Sequence, residues 1–399
     1  MYRLCTQYLT AFSFAMLLAV AVEAQQENGR SAARDLTESQ VREMIDKLAS
    51  SSFAERQKAS KDLLNVTSEF VSLLEDIAKS SSGETQARLR VILPQVRNRL
   101  FNDQLGAFLK QPSVETAQSL PQWERFENIC GHDEGSLSIF SQILEAEKKL
   151  FATRLFAMRE LPAMLESRTA EIAKQFNGNA DEEFPIASVA AVMLLGSETE
   201  TRLVRGTSTN ISSALDDPRF SRIVKDGIHS RALRALVGAW IVRKNIATER
   251  PLLFSMQHDL EAGRTVAVRV IESKSRRPDM ILSILCLAKL NSTADLPLIE
   301  TLLDNKTILW PQRGQVVKTL ISGEPPVDTN YNIQTCDVAL IAATHLRGIS
   351  PTEISGTART SDLTLFAIDS IGFSTDEARS QAFAAYRKLA AANTVPGGK

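Results

Sequence analysis

An all-α fold is what the sequence predicts, on three observations. Apolar residues recur at helical spacing, i, i+3, i+4 and i+7, in one stretch after another. Helix-start signals, a Ser or Thr with Glu or Gln three residues later, stand just ahead of several of these stretches. Strand-type alternation between turn pairs is almost absent. Gly (18) and Pro (14) are scarce in a chain of 399 residues that is 44% hydrophobic, which excludes collagen-like or broadly disordered material.

The elements follow in order. Thr37 with Gln40 forms a capping box ahead of Val41, Met44, Ile45 and Leu48. Ser52 with Glu55 forms a second, leading to Ala59, Leu63 and Leu64 on one face. Thr67 and Ser68 precede Phe70, Val71, Leu73, Leu74 and Ile77, and a fourth helix is expected from Glu84 to near Phe101, kinked at Pro94. Leu137 to Leu144 suits a helix ending near Phe151, and Met158 to Phe176 another, stopped by Gly178. Ile186 to Leu195 is apolar nearly all round, the pattern of a buried helix. Arg231 to Lys244 is amphipathic, and further helices are expected over 251–262, 279–290, 295–304, 334–347 and 375–392. The strongest candidate for a strand, Gly314 to Ile321, also fits a helix. Short helices joined by connections of two to eight residues indicate a bundle or an α-solenoid with degenerate helix pairs of about 40 residues.

The first residues read as an export signal. Arg3 supplies the positive end, Ala11 to Val22 an uncharged apolar stretch, and Val22-Glu23-Ala24 the small residues of a cleavage site. That stretch is well short of the ~20 residues a membrane-spanning helix needs. The expected organisation is a signal peptide over 1–24, a flexible leader over 25–36, a helical region over 37–393 and a flexible tail over 394–399, in a soluble periplasmic or secreted protein. Cleavage leaves Cys130, Cys286 and Cys336, all in apolar surroundings and read as buried free thiols, although one bridge is open to them. Asn65, Asn210, Asn291 and Asn305 stand in Asn-x-Ser/Thr sequons.

LASSSFAERQKASKDLL, Leu48 to Leu64, resembles a HEAT-type helix pair, with Phe53, Arg56, Ala59 and Leu63 in the pattern positions. Trp123 to Glu147, Ala187 to Leu195 and Cys336 to Gly348, with Ser370 to Phe373 before the last helix, look like pieces of exported bacterial HEAT-like repeat proteins. The resemblance implies an armadillo-type α-solenoid in which Phe53 packs between neighbouring helices and Arg56 braces the inter-helix turn, and it carries over no catalytic activity. Leu137 and Cys336 stand where that group often has arginine, which sets aside any shared ligand site.

Chemistry-bearing motifs are few. The four histidines, His132, His229, His258 and His345, show no HExxH or HxH spacing, and no CxxC occurs. Nucleophile elbows, phosphate loops and dinucleotide fingerprints are absent too. His132-Asp133-Glu134 is the most tempting metal cluster, but adjacent residues point apart, and a carboxylate capping the next helix is the stronger reading. Asp181-Glu182-Glu183 reads as a solvated loop, and Asp216-Asp217-Pro218 as a turn starting a helix at Pro218. Lys274 to Arg277 and Arg88-Leu89-Arg90 are the densest basic clusters. With a net charge of −1 they do not make a nucleic-acid surface, though Lys274 to Arg277 could meet an anionic envelope polymer or headgroup surface. No catalytic, cofactor or metal residue is assigned. The reading is a non-catalytic scaffold that binds a protein, peptide or envelope partner through a concave helical face. Its rivals are an envelope hydrolase or lyase with a carboxylate site that leaves no motif, and a self-associating structural component.

Overall fold

The computed structural model describes residues 36–176, 183–244, 246–273, 277–291, 293–312, 331–354, 356 and 358–392. The expected signal peptide, most of the expected leader, the expected tail, Gly178, Lys274 to Arg276 and Gly314 to Ile321 lie outside the described residues. The chain is mostly helical, as its periodicity predicts, and divides by its contacts into two compact units, one ending at Gly106 and one running from Ala107.

In the first unit, α1 (Glu38–Lys47) starts on the expected capping box: the Gln40 amide N–H reaches Thr37 Oγ1, and Gln40 Oε1 accepts the Thr37 N–H at 2.8 Å. α2 (Phe53–Leu63) has half of its box. Ser52 Oγ accepts the Glu55 N–H, but the Glu55 carboxylate turns to the Ser50 hydroxyl. α3 (Val71–Ser80) follows a 3₁₀ turn, and α4 (Gly83–Lys110) continues as helix through Pro94, which forfeits one backbone hydrogen bond. Val41, Ile45, Leu48, Ala59, Leu63, Leu74, Leu89 and Val96 make the core.

Phe53 is a correction. Its ring is 65% exposed, with Arg56 stacked over it at 5.8 Å. At about 100° per residue, Phe53 lies about 80–120° off the stripe set by Ala59 and Leu63, so the helix that buries those two turns Phe53 outward. From over that ring the Arg56 guanidinium donates to the turn carbonyls of Ser50 and Ser51 at 2.7 and 3.0 Å. Arg99 of α4 does the same to Leu64 O (2.8 Å) and Val66 O, at the end of α2.

The second unit begins in the last turn of α4. α5 (Val114–Ala117), α6 (Trp123–Cys130), α7 (Glu134–Ala146), α8 (Lys148–Phe156) and α9 (Leu161–Phe176) lead to α10 (Ile186–Gly196), buried throughout from Ser188 onward. Then come α11 (Arg205–Ser213), α12 (Pro218–Asp226), α13 (Ser230–Ile241), α14 (Glu249–His258), α15 (Ala262–Glu272) and α16 (Arg277–Lys289). The short α17 (Leu296–Glu300), α18 (Thr335–Leu346) and α19 (Asp376–Ala392) complete the set. α10 packs on α13, α13 on α15, α15 on α16 and α16 on α18. This row forms the core of the unit, which is why α10, apolar nearly all round, and α18, buried along almost its whole length, lie along it. α6 and α7 pack back onto α13 and α10, and the Trp123, Phe126 and Phe140 rings cluster between α6 and α7.

Gly263 sets one spacing in the row. A Cβ there would lie 2.4 Å from Ser255 Cβ, so α14 and α15 approach as closely as they do only because that position has no side chain.

Several elements differ from expectation: the helix expected to end near Phe151 breaks at Glu147 into α7 and α8, and α5 and α11 have no counterpart among the expected helices. The helical stretch expected over 251–262 ends at His258, where Asp259 turns left-handed at φ 50°, and a separate α15 follows; its Val266, Val270 and Ile271 are β-branched and weak helix formers. The helix expected over 295–304 stops at Glu300, and β1 (Ile308–Gln312) pairs antiparallel with β2 (Tyr331–Gln334). A two-residue pair, β3 (Thr360–Ser361) with β4 (Leu365–Phe366), is the other strand pairing among the described residues. Cys130, Cys286 and Cys336 are buried free thiols, pushed by burial up to about 12, 12 and 11.

Replacing Phe53 by Ala is expected to cost less than about 1 kcal/mol, since its ring is solvated, whereas Leu63→Ala on the same helix costs about 2–5 kcal/mol. Urea unfolding of the two variants checks this, and equal losses would place Phe53 in the core.

Candidate functional site

Two of the residues singled out from the sequence, Asp133 and Asp217, turn out to cap helices. Asp133 is the N-cap of α7, accepting the Ser136 N–H at 2.8 Å and pairing with Arg231 at 2.9 Å. The Ser136 amide, more than the arginine, holds its carboxyl below the usual range. His132 turns to Glu127 Oε1 at 3.1 Å. No cluster of His, Cys, Asp and Glu able to hold a metal ion occurs among the described residues. Asp217 caps α12 through the Arg219 N–H at 2.8 Å, with Pro218 in the first helical position, and Asp216 pairs with Arg250 at 2.6 Å. Arg88 pairs with Glu84 along α4. Glu183 is exposed, and Asp181 and Glu182 lie outside the described residues.

Buried carboxylates in the second unit sit against arginines. Asp337, fully buried at the start of α18, meets Arg379 of α19 at 2.8 Å, and Asp295 takes a two-pronged grip from Arg264. Glu147 meets Arg168 at 2.7 Å and Glu198 meets Arg154 at 3.0 Å. Glu300 is pushed upward by burial, but the Tyr386 hydroxyl (2.6 Å) and Arg347 hold it below the usual carboxylate range. Among the described carboxylates whose ionisation is displaced, every displacement is downward.

One arrangement has no signature in the sequence. Ser221 of α12 lies with Oγ 2.9 Å from His258 Nε2 on α14, and the Gln257 side-chain amide donates to the same hydroxyl at 3.0 Å. The His258 ring is buried against Phe254, with centroids 4.2 Å apart. Burial, then the Arg234 charge, hold its pKa below the ordinary imidazole value. A hydroxyl beside a neutral imidazole is half of a nucleophile–base arrangement. The other half is a group orienting the base, and no carboxylate is hydrogen-bonded to His258 among the described residues.

Another group of residues gathers at the end of α10. That helix leaves its last carbonyls without intrahelical partners, and the guanidinium of Arg243, just past α13, donates to that of Gly196 and to the carbonyls of Glu198 and Thr201 in the segment that follows. Arg125 reaches Ser197 Oγ at 2.8 Å. Arg269 of α15 repeats the device one helix further on, donating to Val242 O at 2.6 Å and Arg243 O at 3.2 Å. Burial and the neighbouring Arg125 charge hold Arg243 below the ordinary guanidinium range, with Glu198 opposing them.

Beside this clamp opens a cavity of about 790 Å³, lined by residues 199–203 and by Arg205, Ser208, Thr209, Arg243, Lys244, Ile246 and Ala247. Arg202, Arg205 and Lys244 are exposed and have no carboxylate within ion-pair distance among the described residues. Glu200 is the acidic residue of the lining. Sequence reading missed this site because Arg202, Arg205 and Lys244 are forty residues apart in part and form no run.

His258 and His345 both have pKa values lowered by burial, so the unfolded chain takes up their protons more readily than the folded one. Their contribution to stability is complete above about pH 6.5 and is lost as pH falls through that value toward the folded pKa. Urea unfolding at pH 7.5 and pH 5 should show lower stability at pH 5, with a smaller difference in His258→Gln; an unchanged difference would contradict the assignment.

Comparison of the chain with protein-family models, with curated proteins and with solved structures found no match.

Proposed function

We propose that this chain is a non-catalytic helical-repeat scaffold of HEAT-like type, exported behind a cleaved N-terminal signal, that binds a protein partner through a helical face of its second unit. The observation that carries the reading is the basic cavity at the end of α10. Around it the arginines are committed to carbonyls and carboxylates, while Arg202, Arg205 and Lys244 remain without an ion-pair partner among the described residues. Support for a repeat arrangement comes from the row α10, α13, α15, α16, α18, in which each helix packs on the next. No helix among the described residues is long and apolar enough to cross a membrane.

The rival hydrolase needs two carboxylates facing one bond, one with a raised pKa. The displaced carboxylates here move the other way, and the buried ones face arginines, which favours binding over acid–base work.

Two experiments test the proposal. The native protein should have an intact mass beginning at Gln25, and retention of Met1 would refute export by cleavage. Cross-linking the tagged mature protein in its envelope fraction, followed by mass spectrometry, should enrich a protein partner, with no turnover of peptidoglycan, polysaccharide or ester substrates. Turnover abolished by Ser221→Ala would replace the scaffold with an enzyme.

A further inference from the structure

Three features of the basic cavity point to one class of occupant. Its exposed cations come from two directions: Arg202 and Arg205 from the segment entering α11, and Lys244 from the segment leaving α13. Arg205 is the first residue of α11, a helix of nine residues whose N-cap, Val204, has no acceptor to offer, so the first-turn N–H groups add their partial positive charge to the same place. Ser208 and Thr209, in the first turns of that helix, bring hydroxyls into the cavity lining. Against this stand Glu200 in the lining and the Glu166 carboxylate near Gly206, so the cavity keeps a positive excess.

The rest of the lining selects among anions. Leu203 and Ile246 bring apolar surface beside the cations, and about 790 Å³ lies in the range of sites that enclose a sizeable organic group. A small inorganic ion would leave that apolar surface and most of the volume unfilled. Glutamate and aspartate side chains on a peptide fit better, because they carry carboxylates on aliphatic stems beside a backbone able to hydrogen-bond the cavity hydroxyls.

We propose that this cavity seats an acidic peptide segment of the partner protein, its carboxylates paired with Arg202, Arg205 and Lys244. The proposal rests on the scaffold reading above and gives the partner its chemistry.

The test is fluorescence anisotropy of a labelled glutamate-rich peptide with the whole mature protein, alongside a glutamine-rich peptide of equal length. The account expects binding of the acidic peptide alone, weakened by added salt as screening shortens the reach of the charges. Combining Arg202→Gln, Arg205→Gln and Lys244→Gln should weaken it about tenfold, the sum of three exposed charge contacts. All three side chains are solvent-facing, so an unchanged circular dichroism spectrum is expected; should the triple variant misfold, graded losses in the single variants serve instead. No binding by the unaltered protein, equal binding by the variants, displacement by inorganic phosphate at millimolar concentration, or binding of anionic phospholipid vesicles in place of the peptide would each overturn it. A partner that still cross-links to the triple variant defeats the cavity proposal and leaves the scaffold standing, whereas loss of every partner from the unaltered protein defeats both.

Discussion

Arginine side chains on helix-end and turn carbonyls are the interaction on which both units depend. Every α-helix leaves its last four carbonyls without partners inside the helix, and a chain of short helices has many such ends. Left-handed glycine supplies one remedy, used by Gly131 after α6 (φ 79°) and Gly348 after α18 (φ 68°). Elsewhere the C-cap is right-handed and not glycine, as at Leu64, Ser197 and Val242, and a guanidinium from another helix provides the donors. Arg99 holds the end of α2, Arg243 that of α10 and Arg269 that of α13, while Arg56 holds the turn between α1 and α2. The fork geometry of arginine lets one side chain satisfy two or three carbonyls, and its charge complements the negative end of the helix. Each clamp also joins two helices, so satisfying a backbone and fixing a neighbour are one event.

Electrostatics follows from this division of labour. The chain is close to neutral, with 46 basic and 47 acidic residues, yet its charges are not evenly matched in space. Arginines that neutralise buried carboxylates, such as Arg379 at Asp337 and Arg264 at Asp295, and those that clamp carbonyls are both fully committed. Removing one partner of such a buried pair costs about 3–5 kcal/mol, which keeps these arginines in place. At the α10 end Arg243 is spent on carbonyls and Glu198 on Arg154, while the exposed Arg202, Arg205 and Lys244 next to them have no carboxylate partner among the described residues.

Interactions that span three or four residues were readable in the sequence. The capping box at Thr37, the cap at Asp133, Pro218 at a helix start, and the all-round apolar α10 are local patterns, and all four stand in the structure. Phe53 misled because being aromatic on an amphipathic helix does not say on which side of a narrow stripe it falls. α15 escaped notice behind β-branched residues, and β1 because its partner β2 comes only after a long intervening segment. Nothing in a single sequence links Arg243 to Gly196, 47 residues away, or Ser221 to His258, 37 residues away; those contacts exist only once the helices are packed. The candidate site consists of such contacts, and so it was not readable in advance.

Amide hydrogen exchange of Arg243→Ala beside the unaltered protein tests the central claim most directly. If the guanidinium ties the end of α10 to the end of α13, removing it should raise exchange both in the last turn of α10 and its following segment, residues 193–203, and in the last turn of α13, while α16 and α18 keep their protection. Unchanged exchange at the α10 end would show that the carbonyls of Gly196, Glu198 and Thr201 do not depend on Arg243, and the clamp would lose its place in the account.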